Sequence, residues 1–134
     1  MSSKEVIFPE KWEAYRRYTF SPGVKKGKVI FLSGFSATDY EATERKFVGE
    51  GDIVAQTRQI YKNMKKVLET ANASMADIVQ TTDYITTTEG YKGTADVRRE
   101  FFGDSFPAST GIIVAGLLNP KAQIEIDAVA VVDD

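Results

Sequence analysis

From residue 53 the apolar side chains fall at Ile53, Ile60, Met64, Val67, Leu68 and Ala71, a spacing that places them on one face of a helix. Asp52, directly before them, has the chemistry of an N-cap. The helix is predicted to end near Asn72. A second helix is predicted over residues 93–102, with Val97, Phe101 and Phe102 as its inward candidates. Other segments carry a different period. "KVIFLSG" (28–34) is a β-rich apolar run closed by Ser-Gly, and "DIVQTTDYIT" (77–86) is rich in Val, Ile, Thr and Tyr; both predict strands. "STGIIVAGLL" (109–118) reads as a strand buried on both faces, and "QIEIDAVAVV" (123–132) as the last strand, with "NPKA" as a turn between them. Residues 35–52 are polar and punctuated by glycine, which predicts mostly loop. One or two further strands are expected around residues 17–22.

Strand, helix, strand, helix, strand, strand is the order of an α+β domain, a sheet with both helices on one face. The last strand then poses a problem. Ile124, Ile126, Ala128, Ala130 and Val132 share one side, while Glu125, Asp127, Val129 and Val131 share the other. Both faces are partly apolar, and two helices cover only one. Self-association as a closed symmetric oligomer is the simplest cover for the second.

Composition narrows the chemistry. The 134 residues suffice for one domain with a real core, residues 1–134, and no repeat or linker divides them. Formal net charge is −2, and the basic pairs Lys25-Lys26, Lys65-Lys66 and Arg98-Arg99 are short and dispersed. This argues against a nucleic-acid-binding face, which needs clustered cations. No apolar stretch is long enough to span a bilayer, and the N-terminus has no signal-peptide core, so a cytoplasmic protein without membrane partners is expected. The chain has neither cysteine nor histidine. Thiolate nucleophiles, Cys-based zinc sites and Ser-His-Asp chemistry are excluded, and no metal or cofactor is expected. Acid–base work falls to carboxylates, Tyr, Lys, backbone groups or water.

Four segments, "GKVIFLSG" (27–34), "DIVAQTRQIYKNMKKVLETANASMADIVQTTDYI" (52–85), "REFFGDSFPA" (99–108) and "IEIDAVAVV" (124–132), together resemble the RidA/YjgF family of reactive imine/enamine deaminases. The resemblance implies a chorismate-mutase-like fold assembled as a homotrimer, with the sheets forming an inner barrel and ligand clefts between subunits. It also implies a cleft that holds a 2-imino or 2-amino-enoic acid for hydrolysis by an activated water. In that cleft the family places a tyrosine, the Ser-Gly pair, an arginine after Pro-Ala with the backbone amides that follow it, and the first Glu of the Ile-Glu-Ile ending. Here those positions read Phe20, Ser33 with Gly34, Ser109 followed by Thr110 and Gly111, and Glu125.

Two polar contacts therefore differ, and Ser109 matters more. A bidentate Arg–carboxylate pair matches in charge and geometry, and Ser cannot replace it. Three readings stay open: a neutral or differently anchored substrate, another cation reaching in, or binding without catalysis. Arg98 and Arg99 are the candidate substitutes, against a solvated helix face paired with Glu100 or Asp96. Glu125, flanked by Ile124 and Ile126, is the candidate general base or water anchor, against a structural hydrogen bond across the oligomer. Phe20, with Trp12, Tyr15 and Tyr18 upstream, forms an apolar wall or lid, against ordinary packing of an N-terminal strand. Thr110 and Gly111 would lend backbone N–H groups to polarise an imine or carbonyl. The expected function is a small-molecule hydrolase of imines or enamines, the alternative a metabolite-binding trimer without catalysis. RNA cleavage, attached to some members of the family, is disfavoured by the net charge and the absence of histidine.

Overall fold

The computed structural model describes residues 3–42 and 44–133. Six strands, β1 (Glu5–Ile7), β2 (Gly23–Lys26), β3 (Val29–Phe35), β6 (Ile78–Ile85), β7 (Ala108–Ile113) and β8 (Ile124–Val131), form one sheet in the order β1-β2-β3-β8-β6-β7. Only the β6–β7 pair is parallel, so the sheet is mixed. Two short strands, β4 (Thr38–Asp39) and β5 (Lys46–Phe47), make a separate hairpin inside the segment expected to be loop. Helices α1 (Ile53–Thr70) and α2 (Thr94–Phe102) pack on each other, and α1 packs on β3 and β8.

Local chemistry sets the ends of α1. The Asp52 carboxylate accepts from the N–H groups of Val54 and Ala55, both at 3.1 Å. At the other end Asn72 takes φ 59°, the N–H of Asn72 bonds Glu69 O at 3.0 Å, and that of Ala73 bonds Leu68 O at 2.8 Å. This is a Schellman stop with Asn in the left-handed position. Between these ends Ile60, Tyr61, Met64, Val67 and Leu68 face Ile30, Leu32 and Phe35 of β3 and Ile124, Ile126, Ala128 and Ala130 of β8. The even-numbered side of β8 is thus core, as its alternation predicts. The opposite side exposes Phe31, Ile112 and Val131 and leaves Val129 half-covered. Among the described residues no helix is long and apolar enough to cross a membrane.

Two expectations need correction. The run at 109–118 forms a strand only over Ala108–Ile113, and every residue of it is exposed rather than buried on both faces. Among the described residues it lies at the edge of the sheet with β6 as its only strand neighbour, and Ile112 and Ile113 stay 42% and 65% exposed. At the N-terminus, the strands expected around 17–22 lie on either side of that segment, at β1 and β2. Between them Glu13–Arg17 makes a 3-10 turn, which drives Trp12 and Tyr15 into the core against Phe35 and Tyr40. Rings clustered by a tight turn leave no period-2 signature.

Candidate functional site

The register of β3 against β8 slips where the site begins. Leu32 pairs with Ala128 and Phe35 with Ile126, so Ser33 and Gly34 together oppose Asp127. This is a β-bulge, and it turns the end of β3 toward its neighbour. Ser33 is spent on main chain: its N–H bonds Pro22 O at 3.0 Å and its hydroxyl donates to Ser21 O at 2.5 Å. Those bonds hold the segment that carries Phe20. Gly34 leaves room for Glu125, because a Cβ there would lie 2.7 Å from Glu125 Oε2 and the carboxylate would have to shift.

Glu125 is half-buried, and no side-chain hydrogen bond holds its carboxylate among the described residues. Burial raises its pKa above the ordinary carboxylate range, and the charge of Asp127 on the same face of β8 adds to the rise. Asp127 is itself held by the Tyr84 hydroxyl, which donates to its Oδ2 at 3.0 Å. Glu125 and Gly34 border a cavity of about 630 Å³ whose walls include Tyr15, Tyr18, Phe20, Tyr40 and Phe47. Tyr18 and Phe20 stack with centroids 5.0 Å apart, and Tyr18 meets Tyr15 edge to face. Burial pushes the Tyr15 hydroxyl up to about 12, partly offset by nearby Ser33. Buried Tyr40, beside Tyr18, is also raised. These phenols stay neutral across the working range and serve as wall.

Helix α1 holds the cavity's loops in place. Asn63 donates to Thr38 O at 2.8 Å, fixing the β4–β5 hairpin, and Val48 N–H bonds Ala37 O at 2.8 Å. Gln56, wholly buried, donates to Gly49 O and to Gln123 Oε1, both at 3.0 Å, and accepts from Gln123 N–H at 2.9 Å. The second interaction set fixes the start of β8 one residue before Ile124 and two before Glu125. Two cations also line the cavity, Arg45 on the β4–β5 connection and Lys121 in the turn before β8. Neither was singled out in the sequence. Arg45 meets its tyrosine partner across 27 positions, a distance that no local pattern reports.

The remaining candidates stand elsewhere. Ser109 lies on β7 opposite Thr81, whose hydroxyl donates to the Ser109 hydroxyl at 3.0 Å. Thr81 is buried and pairs with Ala128, so Ser109 lies on the helix-bearing face, opposite to that of Glu125. Strand β6 separates β7 from β8 by about 10 Å. Thr110 pairs with Thr82 on the open face, and Gly111 pairs with Asp83. Arg98 is committed to Asp83 at 2.8 Å and to the Tyr91 hydroxyl at 2.9 Å, while that hydroxyl donates to Asp83 at 2.6 Å. Burial works against the Arg98 charge, but the bond to Asp83 together with its electrostatic interactions with Tyr61, Asp83 and Tyr91 outweighs it and raises its pKa. Arg99 pairs with Asp96 at 2.9 Å in solvent, and Glu100 is taken by Arg58 at 3.1 Å. Within one chain the residues thus form two groups. Phe20, Gly34 and Glu125 line the cavity, with Ser33 beside them in the β3 bulge; Arg98, Ser109, Thr110 and Gly111 lie at the edge strand and its support.

Comparison with known proteins agrees with this geometry. The sequence model of a family described as Endoribonuclease L-PSP matches residues 12–132. A RutC family protein of Pyrococcus abyssi is 36% identical over 129 residues, 96% of this chain and 97% of that protein. A 2-iminobutanoate/2-iminopropanoate deaminase of Dermatophagoides farinae is 32% identical over 115 residues, 85% of this chain and 86% of the relative. The crystal structure of the YjgF gene product of E. coli superposes with a TM-score of 0.82 at 29% identity, covering 96% of this chain and 99% of that one. By sequence and by fold, the chain belongs to the RidA/YjgF family.

Proposed function

We propose that the protein hydrolyses a small imine or enamine, with Glu125 positioning and activating the attacking water. The observation that carries this reading is Glu125 itself. It is a half-buried carboxylate without a hydrogen-bond partner, raised in pKa by burial and by Asp127, at the border of an aromatic cavity. A group that only stabilised the fold would be hydrogen-bonded. A carboxylate whose pKa is raised toward the working pH is a better base than an ordinary surface acid. The relative from D. farinae, named for imine deamination, supports the same chemistry.

Water forms a bond to the carbon of a protonated imine, its proton passes to Glu125, and the C=N electron pair moves to nitrogen. Glu125 then returns the proton to that nitrogen and the C–N bond breaks. Ammonia leaves as ammonium once it takes the hydroxyl proton of the product, which becomes a carbonyl.

The edge strand of a second copy would complete the cleft, bringing Ser109, Thr110 and Gly111 to the cavity from outside. Exposure of all six residues of β7 supports that arrangement. The test is decay of 2-iminopropionate, generated by an amino-acid oxidase and followed with semicarbazide. Glu125→Gln should lower any catalysed rate by at least about 100-fold. Retention of the wild-type rate by that variant would remove Glu125 from the chemistry. Ligand binding without hydrolysis by the wild type would favour a metabolite-binding role.

A further inference from the structure

We infer that Arg45 is the anion anchor of the cavity, and that the ligand is a carboxylate with a planar, aromatic body. The inference rests on the reading of this cavity as the ligand site. Ser109 lacks the charge to hold a carboxylate, and Arg98 already has one in Asp83. Arg58, Arg98 and Arg99 are each met by an acidic side chain. Arg45 is not: among the described residues its only side-chain hydrogen bond goes to a neutral phenol, Tyr18 Oη, at 2.5 Å. Its guanidinium also lies 5.3 Å from the centre of the Tyr18 ring. One of five donors is used, and the fork is aimed by a side chain that belongs to the cavity wall. A ligand carboxylate would meet an oriented cation to which no carboxylate is bonded among the described residues, with Glu13 and Glu44 bordering a neighbouring pocket beside it.

Arg45 is exposed, and its support is the hairpin beside it. It sits next to β5, whose hairpin is tied to α1 through Asn63 and Thr38 O. Lys121 lines the same cavity but is a poorer anchor. It faces Glu50 at 3.9 Å, and both side chains are more than half exposed, 54% and 67%. Lys is also a point charge without the fork that matches a carboxylate.

The wall argues for the rest of the ligand. Five aromatic side chains line about 630 Å³ within one chain, a wall suited to a flat apolar body. The stacked Tyr18–Phe20 pair leaves the Phe20 ring exposed and offers a flat surface for another ring. Arg45 and Glu125 both border this cavity.

The experiment measures binding, and so does not depend on turnover. The probes are phenylpyruvate, its neutral analogue 1-phenyl-2-propanone, and pyruvate, titrated by calorimetry against wild type, Arg45→Ala, Arg45→Lys and Lys121→Ala. Phenylpyruvate should bind the wild type more tightly than either other probe. Arg45→Ala should weaken it about 10- to 100-fold and leave the neutral ketone within about twofold. Arg45→Lys should fall between, and Lys121→Ala should change little. Arg45 stands in a loop, and circular dichroism confirms that its variants keep the fold. No binding of phenylpyruvate, equal binding of the neutral ketone, or an unchanged Kd in Arg45→Ala overturns the proposal. An Arg45 effect on binding without imine hydrolysis upholds the anchor and removes the deaminase reading. Hydrolysis with no Arg45 effect does the reverse.

Discussion

A methyl group at position 34 would sit 2.7 Å from the carboxylate oxygen of Glu125, so the glycine and the acid are a matched pair on neighbouring strands. The end of a glutamate side chain moves readily, and Gly34 has no positive φ to preserve. Gly34→Ala should therefore cost little stability, within about 1 kcal/mol, because Glu125 yields. Moving that carboxylate by even 1 Å should lower imine hydrolysis by about tenfold or more. A thermal melt and the imine-decay rate, taken on the same sample, test this. A normal rate with a normal melt would show that the position of Glu125 is unimportant. Glu125 itself is legible in the sequence, because a carboxylate between Ile124 and Ile126 stands out on any strand. Arg45 is not legible, since its role arises from a phenol on a distant segment and from a hairpin that looks like loop.

At the scale of elements, legibility tracks how local the cause is. The ends of α1 could be read because Asp52 and Asn72 act on their own helix termini. The alternation of β8 is equally local, and its buried side is the expected one. Strand β7 is different. Its β-branched run looks like a buried strand, yet all six of its residues are exposed in this chain, and the sequence does not say what would cover them. Ser109→Arg tests what that exposure is for. If a second copy's β7 borders the cavity, the new guanidinium should speed hydrolysis of 2-iminopropionate above wild type, by roughly 10-fold or more. The gain should vanish when Glu125→Gln is added. A folded Ser109→Arg protein with no gain would mean that β7 does not reach the cavity.

For the whole molecule, the open face of the sheet and the bare edge strand raise the same question, what packs against them. Phe31, Ile112 and Val131 are 53%, 42% and 39% exposed on a face without helices, which is costly for a chain in water. A closed trimer would cover that face and the β7 edge together, and would bring the two separated groups of site residues into one cleft. Light scattering coupled to size exclusion should give about three times the chain mass of 14.8 kDa. A monomer at micromolar concentration would remove the shared cleft. The two-sided apolar pattern of β8 carries this expectation in the sequence, whereas the segregation of Ser109 from Glu125 emerges only from sheet order and register.

The central claim is that a carboxylate of raised pKa, Glu125, activates the water. The pH dependence of imine hydrolysis tests it most directly. A base works in its ionised form, and burial together with Asp127 shifts that form to higher pH. The catalysed rate should therefore rise with pH through a midpoint above 4.5, the ordinary value for a glutamate. Asp127→Asn removes the neighbouring charge and should move that midpoint downward, while Glu125→Gln should abolish the catalysed rate and its acid limb. An acid limb that persists unchanged in Glu125→Gln, or that ignores Asp127→Asn, would contradict the account.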